Sequence, residues 1–190
     1  LPPEDLPGTT PALPLISVFP YHSPASRVLL NFKFRNRVKH APSIGYAMAD
    51  AFLAYARHTE PDGGAWLFCC VPMTQEQVSV RGYNQSELLA RYAARWAGAD
   101  FLHDALQKNR ATEVQHNLPA AEREKNVHGA FAAAKAEKLL GRRVALCDDI
   151  CTTGATLRAA VAALVAAGAA EVVCLTFLRT ERDANKEERK

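Results

Sequence analysis

Val144-Ala145-Leu146-Cys147-Asp148-Asp149-Ile150-Cys151-Thr152-Thr153-Gly154-Ala155-Thr156-Leu157 passes from an apolar run into two adjacent carboxylates, then into a small, hydroxyl-rich loop that opens a helix. A continuous apolar run suits a parallel strand covered on both faces. Beyond it, residues 152–156 offer backbone amides and three hydroxyls around Gly154, where a main chain without a Cβ can approach a ligand closely. The helix that follows turns its positive end and its unpaired first-turn donors toward the same place. A phosphate suits this loop. The carboxylates of Asp148 and Asp149 would repel it unless they face ribose hydroxyls or a magnesium ion, either of which satisfies them. The plainer alternative is an acidic loop ahead of a helix capped by Thr152 or Thr153. Strand, double acid, spacer, Thr-Thr-Gly-Ala-Thr and amphipathic helix in unbroken order is a more specific combination than a cap requires.

Outward from this stretch, residues 156–167 repeat apolar side chains at Leu157, Val161, Leu164 and Val165 and stop at Gly168, and residues 172–178 read as a buried strand. Strand, loop, helix and strand within about 35 residues form a βαβ unit, for which a right-handed crossover and a parallel sheet are expected. Ligands of such sheets bind at the carboxyl ends of the strands, where residues 148–156 fall. Upstream, residues 66–71 form a second strand-length apolar run, and residues 43–58 and 84–96 carry helical stripes. The second helix is announced by Asn84 and Glu87, spaced as in a capping box. Short strands are expected at 18–21, 105–108 and 129–133, a helical opening at 24–34 and a short helix at 119–126. The strand ending at Val71 leads through Pro72 and Met73 to Arg81-Gly82-Tyr83-Asn84-Gln85, so a second loop belongs at the ligand edge. A guanidinium there can fork onto two phosphate oxygens and Gly82 allows close backbone approach; an ordinary exposed turn is the alternative.

Composition bounds the rest. The 190 residues are 48% hydrophobic and 23% charged, enough for one compact domain with a substantial core, or one domain with a modest appendage. We expect a proline-rich linker over residues 1–15, the folded domain over 16–180 and a charged tail over 181–190. No apolar run reaches the about 20 residues that a bilayer requires, so no membrane insertion is expected. The five cysteines form no Cys-x-x-Cys pair, and their odd number fits a reducing compartment, hence a cytoplasmic location, with Cys147 and Cys151 as small hydrophobes. The net charge of +3 neither demands nor excludes nucleic acid. Lys33 to Lys39, beside Phe32 and Phe34, reads as a solvated helix end, with stacking against single-stranded DNA as the alternative.

The segment around Asp148 resembles the phosphoribosyl pyrophosphate (PRPP) binding motif of type I phosphoribosyltransferases. Arg81-Gly82-Tyr83-Asn84-Gln85, together with Gln115, Leu118, Glu122-Arg123 and Asn126-Val127-His128-Gly129-Ala130-Phe131, is similar to the ComF branch of that fold, associated with bacterial competence. The resemblance implies a type I phosphoribosyltransferase fold of the α/β class, a central mostly parallel sheet flanked by helices with a small hood. It implies that Thr152, Thr153, Gly154, Ala155 and Thr156 hold the 5-phosphate and that Asp148 and Asp149 face the ribose hydroxyls and Mg²⁺. Pro72, Met73, Arg81 and Gly82 would serve the pyrophosphate side, with Gln115, Arg123 and Asn126 in the hood. The activity so implied is transfer of phosphoribosyl to an unknown acceptor with pyrophosphate release. The other reading is a DNA-uptake component that binds PRPP or single-stranded DNA without salvage chemistry, alongside a competence helicase. Family members often begin with a zinc ribbon; nothing ahead of the prolines here supplies one, and zinc is not expected.

Overall fold

A computed structural model describes residues 1–9, 12–34, 37–59, 64–108 and 129–180. Its main sheet has six strands in the order β1-β2-β8-β7-β3-β4: β1 (Glu4–Asp5), β2 (Pro14–Pro20), β3 (Trp66–Cys70), β4 (Asp100–Phe101), β7 (Arg143–Cys151) and β8 (Glu171–Arg179). All neighbours run parallel except β1, which pairs antiparallel with β2. A separate antiparallel ladder joins β5 (Leu106–Lys108) to β6 (Phe131–Ala133). Helices α1 (Ala25–Phe34), α2 (Ala41–Thr59) and α4 (Gln85–Ala97) cover one face of the sheet, and α6 (Ala155–Ala166) covers the other. The described residues also include two short helices, α3 (Gln75–Arg81) and α5 (Ala136–Leu139), and a 3₁₀ turn at Val38–His40.

Alternation along the central strands explains both layers. Val144 and Leu146 of β7 enter the core beneath α6 with Leu157, Ala160 and Leu164, whereas Ala145 and Cys147 face the core formed with Met48, Phe52 and Leu89. Both faces are therefore apolar, which is why the run in sequence is unbroken. Small residues let α2 and α4 close in: a Cβ on Gly45 would stand 2.5 Å from Tyr92 Cβ.

Several elements depart from their sequence-based expectations. The first parallel strand begins at Pro14 rather than at 18, because β8 offers it a partner from Leu15 to Pro20. The proline-rich segment expected as a linker is bound to the molecule. Glu4 and Asp5 pair with β2, the Leu6 amide donates to the Leu13 carbonyl at 2.7 Å, and Leu6 itself is 1% exposed. Between Met73 and Gly82, where a loop was expected, residues 75–81 form α3 with a true capping box between Thr74 and Gln77. Asn84 caps α4 by accepting from the Ser86 and Glu87 amides, while the Glu87 carboxylate turns to Arg91 and His103 instead of completing a box. The helix expected at 119–126, like Gln115, Arg123, Asn126 and the charged tail, lies outside the described residues.

Among the described residues no helix is long and apolar enough to cross a membrane. All five thiols are unpaired; Cys69, Cys147, Cys151 and Cys174 are buried, and burial pushes Cys69 and Cys151 up to about 12. They pack as small apolar groups.

Candidate functional site

At the carboxyl end of β7 the chain leaves the sheet, bends through Thr152 and Thr153, and enters α6 at Gly154, whose φ of 77° is left-handed. A concavity of about 170 Å³ opens there, lined by residues 148–157 and by Lys33. The acid pair and the loop thus share one wall.

The loop is held by its carbonyls. Arg158 Nη1 donates to Thr153 O at 3.0 Å and also to the Pro7 carbonyl, and Thr180 Oγ1 donates to Thr152 O at 3.2 Å. The Ala155 amide reaches Thr153 Oγ1 at 3.4 Å. By contrast, the amides of Thr152, Thr153 and Gly154 donate to no protein group among the described residues. The N-cap of α6 is Gly154, so the plainer alternative, in which Thr152 or Thr153 holds that position, does not apply. Three adjacent donors with no partner at a helix N-terminus make a ready anion cradle. Gly154 is favoured by the backbone sign, and space beside it is tight: a Cβ there would stand 3.0 Å from Leu6 Cδ1 and 3.2 Å from Arg158 Nη1.

The strand continues through both acids to Cys151, four residues past the end read from the sequence, and so sends Asp148 and Asp149 in different directions. Asp148 Oδ1 accepts from Ser86 Oγ at 2.7 Å and from the Asp149 amide at 2.8 Å. Burial, then the neighbouring Asp149 charge, lifts the Asp148 carboxyl to about 7 against the pull of Ser86 and Lys33. Asp149 is 6% exposed and its Oδ2 lies 2.7 Å from Lys33 Nζ. Lys33 belongs to α1, and its side chain is only 14% exposed. It is therefore not the solvated helix end expected from the sequence. The signal available was its place between Phe32, fully buried, and Phe34, 62% exposed, which puts position 33 at the edge of the packed face.

The other expected residues stand beside the cup without lining it. Pro72 and Met73 follow Val71, which lies just past β3 and whose amide donates to Cys147 O at 3.0 Å, and Asn84 Nδ2 donates to Val71 O at 3.3 Å. Arg81 is the last residue of α3, not a loop residue, and Gly82 caps that helix with φ 82°. The Arg81 guanidinium lies 5.8 Å over the Phe34 ring and donates to Gln85 Oε1 at 3.3 Å. Gln85 Nε2 is buried and meets no partner among the described residues. On the hood side, Lys108 ends β5 with its ammonium 6.0 Å from the Phe131 ring centre; burial lowers its pKa while Asp148 acts in the other direction. Lys108 is a second cation that the sequence did not single out.

The acids do not fit a magnesium ion held by the protein alone. Asp149 Oδ2 is taken by an ammonium and Asp148 Oδ1 by two donors. Among the described residues no three His, Cys, Asp or Glu side chains gather where they could hold a metal.

Residues 94–190 match the phosphoribosyl transferase domain. The chain is 31% identical over 169 residues to the DNA utilization protein YhgH of Escherichia coli K12, covering 87% of this chain and 72% of that one. It is also 31% identical over 140 residues to competence protein F of Haemophilus influenzae, covering 72% of this chain and 60% of that one. Among solved structures, the glutamine PRPP amidotransferase of B. subtilis complexed with ADP and GMP superposes with a TM-score of 0.42 at 23% identity, over 70% of this chain and 25% of that one.

Proposed function

Because the chain belongs to the ComF family of phosphoribosyl transferase-domain proteins, we propose that it binds PRPP in the cup and transfers phosphoribosyl to an acceptor with release of pyrophosphate. The observation that carries this reading is the row of unengaged amides at Thr152, Thr153 and Gly154 beside the acid pair. The 5-phosphate rests on those amides and on the start of α6, with Ala155 and Thr156 closing the first turn around it. The ribose hydroxyls donate to Asp148 and Asp149. As the leaving group departs, negative charge grows on its oxygens, and the guanidinium of Arg81 beside Gly82 is the group suited to meet it. Pro72 and Met73 set the end of β3 from which that side of the site is built. The chain's own contribution is orientation and electrostatics. Magnesium belongs to this reading as a companion of the ligand's pyrophosphate, not as a resident of the acids.

Calorimetric titration with PRPP tests the binding half. Thr153→Ala, or Asp148→Asn with Asp149→Asn, is expected to weaken binding by about ten- to a hundredfold, as lost charged hydrogen bonds do; unchanged affinity sinks the reading. Release of pyrophosphate from radiolabelled PRPP across purines, pyrimidines and amines tests transfer.

The relatives' names, and the exposed Phe34 ring under the Arg81 guanidinium, favour a second reading. A ring and a cation together suit stacking on single-stranded DNA, so the protein would act in DNA uptake with a helicase partner and without salvage chemistry. PRPP bound with no turnover, together with DNA binding that disappears in Phe34→Ala, would select it.

A further inference from the structure

A carboxylate that lines a cup for a phosphorylated sugar needs a counter-charge, and the cup supplies one from a separate helix. Lys33 Nζ sits 2.7 Å from Asp149 Oδ2, with the two side chains 14% and 9% exposed. This is not a rim pair exchanging freely with water, where ammonium and carboxylate would gain little from each other. Its backbone is fixed too. Phe32 is wholly buried, its ring centre is 5.5 Å from that of Tyr83, and its carbonyl accepts the Tyr83 hydroxyl at 2.5 Å. An ammonium carries three donors. One goes to Asp149, and among the described residues the others meet no protein acceptor, in a side chain that lines the cup.

Resting on the reading of the cup as a ribose-phosphate site, we propose that Lys33 is its resident cation, holding Asp149 in place and donating to the bound sugar phosphate, so that the phosphoribosyl end binds without a divalent metal. A magnesium ion at Asp149 Oδ2 would have to displace an ammonium already in contact and shed water that it gives up reluctantly. Lys33 therefore determines what the cup requires: a polyol phosphate that satisfies one carboxylate, one ammonium and three amides together.

The probe is D-ribose 5-phosphate, which lacks the pyrophosphate that would carry metal by itself. Its affinity for the full chain is measured by calorimetry in EDTA and in millimolar Mg²⁺, for the wild type and for Lys33→Gln and Lys33→Arg. We expect the wild type to bind equally in both media, within about twofold. Lys33→Gln should bind about tenfold or more weakly in EDTA and recover part of that loss in Mg²⁺, because Asp149 is then open to the metal. Lys33→Arg should stay within a few-fold of wild type. Thermal melts of each variant separate misfolding from lost contact, and the wild-type comparison stands even if Lys33→Gln does not fold. Wild-type binding that collapses in EDTA overturns the proposal, as does a folded Lys33→Gln with wild-type affinity. If ribose 5-phosphate binds in neither medium, the reading of the cup fails and this inference with it.

Discussion

Burial, then the charge of Asp149, makes the Asp148 carboxyl hold its proton to higher pH than an ordinary aspartate does. In the unfolded chain its carboxyl ionises near 3.8; in the folded protein burial and Asp149 raise it to about 7. Between those values the folded state holds the proton and the unfolded state does not, so this group's stabilising contribution is complete below about 4 and is lost as pH rises through about 7. Asp148→Asn is therefore expected to be more stable than the wild type at pH 8, by roughly 1–3 kcal/mol, with the difference gone at pH 4, while ribose 5-phosphate binding weakens. Equal melting temperatures at pH 8 would show that the carboxylate is not strained in the fold. Gly154 gives a second test at this scale. With φ at 77° and Leu6 and Arg158 pressed against the missing side chain, Gly154→Ala is expected to lose about 1–3 kcal/mol in urea unfolding. A loss under 0.5 kcal/mol would mean that the loop relaxes around a methyl group. The motif at 148–156 was legible because each of its residues acts through its neighbours in the chain. Lys33 was not, since its importance comes from a meeting with Asp149 that is 116 positions away in sequence and depends on how α1 lies against β7.

Among the elements, the strongly periodic ones followed from the sequence: α2, α4, α6, β3 and β8 stand within about two residues of their expected places, because each buries one recognisable stripe or run. Short elements did not. Helix α3 has seven residues and no buried side chain, so periodicity is silent about it, yet Thr74-Gln75-Glu76-Gln77 spells the start signal that its structure uses. The tail of β7 was missed because two carboxylates interrupt the apolar run, although the ladder to β8 continues to Cys151. The α2–α4 crossing makes an element-scale prediction. Gly45 has an ordinary helical backbone, so the effect of Gly45→Ala comes from crowding against Tyr92 Cβ and the Leu89 carbonyl alone. We expect about 1–3 kcal/mol of destabilisation by overpacking, in contrast to the small gain that alanine brings in an open helix. Chemical denaturation decides between the two signs.

At the level of the molecule, the N-terminal segment ties together parts that are distant in sequence. Glu4 pairs with Arg179 at 2.9 Å, Leu6 packs beside Gly154, and Arg158 spans Pro7 and Thr153, so residues before β2 brace the far side of the cup. Proline content suggested a linker, since proline donates no ladder hydrogen bond, but a short edge strand and a strand's first position tolerate it well. Leu6→Ala should remove about 2–4 kcal/mol, as for other fully buried leucines; a value near zero would return the segment to the status of a tether. The buried thiols have a practical consequence. Cys151 ends β7 at the base of the cup, 3% exposed and with its pKa pushed up to about 12, so an alkylating reagent meets it mainly in the moments when residues 152–154 lift. Its modification rate is an intrinsic clock for the breathing of the cup, one that an occupying sugar phosphate should slow without any label being added to the chain.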